Sequence, residues 1–295
     1  MGALREFGYL CSAVPRSLRD KGVAPTAAAA RDYLADNIFK SRADFTQQRF
    51  RLSEQLGRQL DYTVAYGPFA GLTLNRESWW SAADRGTMLL GLYEQEVLQA
   101  LESAPRSFDT LIDVGAADGY YAIGCLKAGW VNHAYCYEES EAGQQVILSN
   151  ARANGVAGQV TVLGTADSTF VEHLRAEHSV DPSRCLVIID IEGGEFDILT
   201  PQVLSSLKDS FVIVELHEGV AEATQGLKSI EGGIGPDVDV SFVSTGPRNP
   251  SQFPILSDWP DDDRWMLCSE GRASLMRWMI LSPQLASTSA QLTSL

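Results

Sequence analysis

Basic residues, cysteine and long apolar runs are all scarce in this sequence. Lysine and arginine number 23 against 38 aspartate and glutamate residues, which gives a formal net charge of −15. Because proteins that bind nucleic acid usually present a basic face to the phosphates, this balance argues against a DNA or RNA partner. No apolar run approaches the roughly 20 residues that cross a bilayer, and the N-terminus lacks the layout of a signal peptide. We therefore expect no membrane partner and a cytoplasmic location.

The few cysteines carry no metal-binding or disulfide signature. Five are present, without a CxxC pair or zinc-like spacing: Cys11, Cys125, Cys136, Cys185 and Cys268. An odd count, with three of them in predicted helices or strands, indicates reduced thiols in a core. The apolar fraction of 45% is ordinary for a globular protein, so a folded catalytic domain with an extension is expected.

Residues 1–85 are predicted to form a mainly helical extension. The helical spacing of apolar residues predicts helices at 27–39 and 45–60, and a third that begins at Ser81 or Asp84 and ends at Leu101. Two short apolar runs interrupted by glycine predict a β-hairpin at 64–74. This region could contribute to substrate binding or to a homodimer contact.

From Thr110 onward, predicted strands alternate with predicted helices. The strands are 110–114, 133–137, 160–163, 185–191 and 211–216, and the helices between and after them are 120–128, 140–154, 169–178 and 195–207. Five such repeats predict an α/β fold with a parallel, doubly wound sheet. Residues 231–260 are expected to form a long loop. Two final strands, 264–269 and 275–281, are expected to pair as an antiparallel hairpin at the sheet edge.

In open parallel sheets, ligands bind beyond the carboxyl ends of the strands. The first strand runs into Asp113-Val-Gly-Ala-Ala-Asp-Gly, where Gly115 and Gly119 allow a tight turn and a close approach of the backbone to a ligand. A dinucleotide site would require GxGxxG, and Ala117 stands at the middle glycine. The carboxylate of Asp113 also suits a cationic amino-acid group better than a pyrophosphate.

Carboxylates follow the next two strands as well. Glu138 lies nineteen residues after Gly119, where it can accept hydrogen bonds from both hydroxyls of a ribose. Glu139 beside it shows that a solvated acid at a strand end is also common. After the third strand, Asp167 can accept a hydrogen bond from an adenine amino group, although taken alone it reads more readily as a helix N-cap.

The fourth and fifth strands bring further acids and an imidazole to the same edge of the sheet, the rim formed by the carboxyl ends of the strands. Asp190, Glu192 and Glu195 follow the fourth strand, and Glu215 and His217 end the fifth. A neutral histidine is suited to accept a proton from a hydroxyl, and the alternative is that His217 only orients a neighbour. Asp190 and Glu215 could instead hold a divalent metal, but no metal-specific spacing favours it. Glu195 could simply be a favourable acid in the first turn of a helix.

Three segments together resemble class I S-adenosylmethionine (SAM)-dependent methyltransferases, and more narrowly the FkbM family. They are LIDVGAADGYYAIG (111–124), LVIIDIEGGEFDIL (186–199) and VIVELHEG (212–219). The resemblance implies a Rossmann-like, doubly wound sheet of seven strands in the order 3-2-1-4-5-7-6, within a catalytic domain spanning 86–295. It also implies SAM as cofactor and O-methylation of a hydroxyl on a sugar or another natural-product small molecule.

Site residues carry over from this resemblance by position. The methionine part of SAM would lie against Asp113, Gly115 and Gly119, the ribose against Glu138, and the adenine against Asp167. Asp190 and Glu192 would face the reaction centre, and Glu94 would lie near the cofactor. The remaining residues expected to bind the cofactor are Ala116, Asp118, Ser168 and Asp190. His217 is expected to be catalytic because of its position at a strand end. Ala117 departs from the family pattern, and this is tolerable if its φ angle is negative.

Two other functions remain compatible with the same layout. An NAD-dependent oxidoreductase shares the sheet but lacks the required glycine pattern here. A non-catalytic, methyltransferase-like scaffold would not need the carboxylates that follow three successive strands. Trp79, Trp80 and Trp259 could line the pocket of a small-molecule acceptor, or could be core residues.

Overall fold

A seven-stranded mixed sheet forms the centre of the protein. The computed structural model describes residues 40–80, 82–105, 107–218 and 223–284. The strands are β1 (Thr110–Val114), β2 (His133–Tyr137), β3 (Val160–Leu163), β4 (Cys185–Ile189), β5 (Phe211–Glu215), β6 (Val238–Ser244) and β7 (Arg277–Pro283). Their order is β3-β2-β1-β4-β5-β7-β6. The predicted Rossmann-like topology is thus confirmed.

Strands β1 to β5 run parallel to one another, whereas β7 runs antiparallel to both β5 and β6. In the register, Val114 pairs with Tyr137 on one side and with Ile189 on the other. The carboxyl ends of the central strands therefore meet at one edge of the sheet. This edge brings together the loops in which the sequence places its acidic residues.

Helices cover both faces of the sheet. They are α1 (Lys40–Gln59), α2 (Arg85–Leu89), α3 (Gln95–Ser103), α4 (Tyr120–Lys127), α5 (Glu141–Ala153), α6 (Phe170–His178), α7 (Glu195–Ile198), α8 (Pro201–Ser206), α9 (Ala223–Gly233) and α10 (Asp261–Leu267). Side chains alternate along the strands, so Leu111 joins the core beneath α1 to α5 while Ile112 joins the core beneath α6, α8 and α9. Ser140 caps α5 as predicted, because its hydroxyl accepts from the Gly143 amide.

The described part of the N-terminal region begins with a helix, and the predicted helix at 45–60 is confirmed as α1. A continuous helix up to Leu101 is wrong, because the chain leaves helical geometry between α2 and α3, where Gly91 and Glu94 adopt φ angles of 66° and 44°. The predicted hairpin reduces to a single bridge between Thr63 and Thr73. The predicted helix at 27–39, Ser81 and Cys11 lie outside the described residues.

The C-terminal predictions need the largest corrections. The expected loop at 231–260 contains the end of α9 and all of β6, and the expected strand at 264–269 is helix α10. Helix α10 begins after Pro260 with three aspartates, a favourable composition for a helix N-terminus. Strand β6 rather than 264–269 pairs with β7. The predicted helix at 195–207 is divided at Pro201 into α7 and α8.

Four of the cysteines, Cys125, Cys136, Cys185 and Cys268, are buried thiols, as predicted. Among the described residues, no helix has both the length and the apolar character needed to cross a bilayer. The proposed domain boundary at residue 85 stays a prediction. Residues on both sides of it contribute to one core, where Leu56 and Phe69 lie in the same cluster as Leu111.

Candidate functional site

A cavity of about 420 Å³ opens at the carboxyl edge of the sheet. Four loop segments line it, each following one of the first four strands in turn: 114–118, 137–139, 164–166 and 190–192. Aromatic side chains complete the wall, including Trp79, Trp80, Tyr93 and Tyr120. The structure therefore places the predicted ligand rim around one continuous space.

Gly115 lies where the β1 and β4 loops touch. Its φ angle is +87°, and a Cβ atom at this position would lie 1.7 Å from the carbonyl oxygen of Asp190. The Asp190 amide in turn donates to the Val114 carbonyl over 2.9 Å. Only glycine fits this contact, because any side chain would push the two loops apart. The glycine predicted to shape the cofactor loop thus also sets the position of Asp190.

Glu138 holds the turn that contains Ala117. One carboxylate oxygen accepts from the Ala117 amide and the other from the Ser140 amide, each over 2.9 Å. The expected negative φ of Ala117 is wrong, because its φ angle is +48°. The hydrogen bond to Glu138 stabilises this left-handed conformation, which an alanine otherwise adopts at a cost of about 1–2 kcal/mol. Glu138 is buried yet lines the cavity.

Asp118 positions the two tryptophans at the cavity wall. Its carboxylate accepts from the Trp79 amide over 2.8 Å, from the Trp80 amide over 3.3 Å and from the Ser78 hydroxyl. Both indole rings are about half exposed and line the cavity, so they are not core residues, and their role at an acceptor pocket stays a prediction. Trp259 lies elsewhere and packs against the core. Asp118 thus connects the β1 loop to an aromatic wall that sequence reasoning did not assign to it.

Four other predicted cofactor residues lie off the cavity wall: Asp113, Gly119, Asp167 and Ser168. Asp113 is buried beneath the cavity, where burial raises its pKa to about 7, and one of its carboxylate oxygens has no hydrogen-bond partner. Asp167 is exposed and accepts from the amide and the hydroxyl of Thr169, over 2.7 and 2.6 Å. These hydrogen bonds lower the pKa of Asp167. Asp167 and Ser168 do not line the cavity, which the β3 loop reaches through residues 164–166 instead.

A smaller acidic pocket of about 120 Å³ adjoins the cavity. The two spaces share Trp80, Tyr93, Asp190 and Glu192, and the acidic pocket also contains Glu94, Glu215, His217, Glu270 and Arg272. Glu94 therefore lies at the acidic pocket rather than on the cavity wall. A ligand in the cavity and a second one in the acidic pocket would meet at the shared residues.

His217 is held by a buried carboxylate. Its ring Nδ1 lies 3.2 Å and its backbone amide 2.9 Å from one oxygen of Glu195, whose other oxygen accepts from the Gly193 amide. Because an ionised carboxylate only accepts, Nδ1 carries the hydrogen and Nε2 faces the pocket. There Nε2 lies 3.3 Å from Glu192 and 3.8 Å from Asp190. Glu195, expected only to favour a helix N-terminus, is thus the residue that orients the imidazole.

The charges around His217 shift the pKa values of the group. Burial opposes the imidazolium, but the hydrogen bond and charge of Glu195, with the charges of Glu215 and Glu192, raise the pKa of His217. Burial likewise opposes ionisation of Glu195, yet its hydrogen bonds from His217 lower its pKa. Burial, followed by the charges of Glu215 and Glu94, raises the pKa of Asp190 well above the usual carboxyl range. His217 and Asp190 are therefore both poised to exchange protons with a bound hydroxyl.

Arg272 is the functional residue that sequence reasoning missed most completely. It lies in the segment taken for a hairpin turn, yet its guanidinium donates to Glu94 and Glu215 at the acidic pocket.

Among the described residues, two sets have ligand atoms within 4.8 Å of one another: Asp190, Glu192 and His217, and Glu94, Asp190 and Glu215. The second set contains both carboxylates that the sequence suggested for a metal. Glu94 is buried close to Glu215. Desolvation by burial, followed by the negative charge of Glu215, raises the pKa of Glu94 to about 8.

No protein-family model matches the sequence, and no curated protein does. Among solved structures, the O-methyltransferase TomG from Streptomyces achromogenes, in complex with SAM, aligns at 13% identity with a TM-score of 0.45, over 80% of this chain and 90% of that one. An O-methyltransferase from Bacillus cereus, in complex with SAH, aligns at 13% identity with a TM-score of 0.44, over 86% and 97%. A ribosomal protein L11 methylase from Lactobacillus delbrueckii aligns at 18% identity with a TM-score of 0.41, over 65% and 78%. At these values the likeness assigns no family, activity or ligand to this chain, and the FkbM resemblance stays a prediction.

Proposed function

We propose that the protein is a SAM-dependent methyltransferase that methylates a hydroxyl of a small molecule, with a sugar or another natural product as the expected class. The observation that carries this proposal is the junction of the two spaces. The cavity, with Gly115 in its wall and carboxylates at the strand ends, adjoins the acidic pocket, into which the oriented imidazole of His217 faces. Each half supplies one requirement of methyl transfer, a donor site and a proton acceptor beside it.

The cavity fits SAM in size and in charge. A volume of about 420 Å³ falls in the range of sites for ligands of this size. Gly115 gives a bare backbone wall, and Glu138 at the end of β2 lies where a carboxylate can accept from ribose hydroxyls. Asp190 presents an oxygen without a hydrogen-bond partner, suited to a ligand that carries positive charge. Among the residues that the structure describes, no basic side chain lines the cavity, which disfavours the pyrophosphate of NAD.

When bound, SAM would supply a methyl group carried on a positively charged sulfur. The acceptor oxygen would attack the methyl carbon in line, and the sulfur would leave with the bonding electrons. The chain's own residues then have two tasks, alignment and removal of the hydroxyl proton. Holding reactants in near-attack geometry lowers barriers by about 7–11 kcal/mol, whereas a general base contributes about 10²–10⁴-fold in rate. Trp80 and Tyr93, which line both spaces, align the acceptor. His217 Nε2, or Asp190 beside it, accepts the proton.

Replacing Glu138 with glutamine is expected to weaken SAM binding by about 10–100-fold, the value of a hydrogen bond to a charged group. The Glu138 carboxylate accepts from the Ala117 amide, whereas the NH₂ group of glutamine can only donate. If that group faces Ala117, this hydrogen bond is lost and the turn is less stable. Isothermal titration calorimetry measures the affinity. Glu141→Gln is the matched control, because Glu141 is an exposed acid close to Glu138 in sequence that does not line the cavity, and its change is expected to leave affinity within about twofold. Equal affinity in wild type and Glu138→Gln would contradict the assignment of Glu138.

The methylation rate is expected to rise with pH through a pKa above the ordinary histidine value of about 6.5. The reason is that Glu195, Glu215 and Glu192 raise the pKa of His217, so the imidazole becomes a free base only at higher pH. Glu195→Gln removes one of these charges and is expected to move the rising limb to lower pH. The check is the pH dependence of kcat/KM in both proteins. A limb that stays in place or moves to higher pH in Glu195→Gln would exclude His217 as the titrating base.

The activity itself is tested by SAM turnover across a panel of sugars, sugar nucleotides and hydroxylated metabolites, with formation of the demethylated cofactor as the readout. Product methylated on oxygen is the expected result. SAM binding without turnover of any acceptor would favour a scaffold over an enzyme. Binding of NAD in preference to SAM would favour an oxidoreductase.

A further inference from the structure

Three carboxylates converge between the ends of β4 and β5. Oxygens of Glu94, Asp190 and Glu215 lie within 4.8 Å of one another, and the side chains of Glu94 and Glu215 are each only 3% exposed. Buried like charges at this separation repel strongly. Such a cluster needs bound protons or a cation to persist, and oxygen ligands in this number are also what a divalent cation such as Mg²⁺ or Mn²⁺ prefers.

The side chain of Arg272 reaches this cluster from the segment before β7. Its two terminal nitrogens donate to different carboxylates, one to Glu94 and the other to Glu215 over 2.6 Å. Its Nε donates to Glu270 over 2.8 Å. All three guanidinium nitrogens are thus engaged by carboxylates of different segments. The neighbouring acids raise the pKa of Arg272 above its already high value, so it remains charged.

The guanidinium is also fixed in orientation. It lies over the ring of Trp278, 5.6 Å from the ring centroid, and Trp278 is fully buried in β7. Glu270, its third partner, is bridged by Arg248 to Glu96. The guanidinium of Arg272 is therefore held between a buried ring of β7 and a chain of ion pairs.

We propose that Arg272 is a built-in counter-ion that takes the place of a divalent metal among Glu94, Asp190 and Glu215. It acts as a positioning residue, because it holds the acids at the ends of β4 and β5 together without contacting a reacting atom. Asp190 keeps one oxygen without a partner beside His217, so the acid nearest the junction stays available to ligands. This ionic role stands independently of the proposed function, and only its effect on turnover rests on methyl transfer.

The proposal predicts that removing the guanidinium uncovers a metal site. Titration of the full-length protein with Mn²⁺, followed by electron paramagnetic resonance, is expected to show at least about tenfold tighter binding of one ion to Arg272→Met than to wild type. Arg272→Lys keeps a positive charge and is expected to show no such gain. Adding Glu215→Gln to Arg272→Met is expected to remove the new site, which places it in this cluster.

Arg248→Met is the matched control, because Arg248 belongs to the same ion-pair chain but contacts Glu96 and Glu270 rather than the cluster. An equal gain in Arg248→Met, or no gain in Arg272→Met, would overturn the proposal. If Arg272→Met is unstable without metal, an increase in its Tm on adding Mn²⁺ supports the proposal, and an unchanged Tm overturns it. Because Mn²⁺ binding requires no SAM, a metal site gained by Arg272→Met together with no methyl transfer by the wild-type protein would refute the proposed function alone.

Discussion

Gly115→Ala is expected to abolish SAM binding and to lower the free energy of unfolding by about 2–5 kcal/mol. Two effects add: an alanine at φ +87° costs about 1–2 kcal/mol, and a Cβ atom placed 1.7 Å from the Asp190 carbonyl forces overpacking worth a further 1–3 kcal/mol. For a chain of 295 residues the Tm should fall by roughly 3–8 °C. Calorimetry with SAM and a thermal melt without ligand measure the two effects separately.

Gly129→Ala is the matched control for this prediction. Gly129 also has a positive φ, at +69°, but a Cβ atom there would meet nothing within 4 Å. It should therefore lose only the backbone term and keep the SAM affinity of the wild type. Similar Tm values and SAM affinities for the two variants would show that the contact between the β1 and β4 loops does not shape the site.

His217→Ala is expected to lower turnover by at least tenfold, and by up to about 10²–10⁴-fold if His217 is the sole base. Affinity for SAM should stay nearly intact, because His217 lines the acidic pocket and not the cavity. Single-turnover kinetics under saturating SAM isolate the chemical step. The control is His173→Ala, since His173 lies on the surface of α6, pairs with Glu177 and lines neither the cavity nor the acidic pocket.

The same variant distinguishes a base from an orienting residue. If His217 accepts the proton, the pH dependence of the rate should flatten when it is removed. Unchanged turnover would take His217 out of the mechanism and leave Asp190, whose raised pKa also suits proton transfer, as the candidate.

The central strands could be predicted because burial on both faces leaves a clear signal. The segments that form β4 and β5 are almost continuously apolar and are followed directly by acidic residues. Strand β6 gave no such signal, since five of its seven residues are exposed and its sequence VDVSFVS alternates without an apolar run. Its alternation of apolar and polar residues is a strand pattern, but the interpretation of 231–260 as a loop overlooked it.

Residues of the candidate site could be predicted where their place in the site follows from lying directly after a strand. Gly115, Glu138, Asp190 and His217 all lie at the expected rim, because the ends of parallel strands share one edge. Arg272 could not be found in this way, since its role depends on a side chain reaching from the segment before β7 to acids on other segments. Asp167 shows the opposite case, a residue at the expected place whose carboxylate is engaged by its own turn.

The most direct measurement of the central claim is a calorimetric titration of the full-length protein with SAM, with NAD as the comparison ligand. The cavity predicts saturable binding of one SAM per chain, competition by the demethylated product, and no detectable heat with NAD. Absence of SAM binding, or preferential binding of NAD, would contradict the assignment of the cavity and with it the proposed methyltransferase activity.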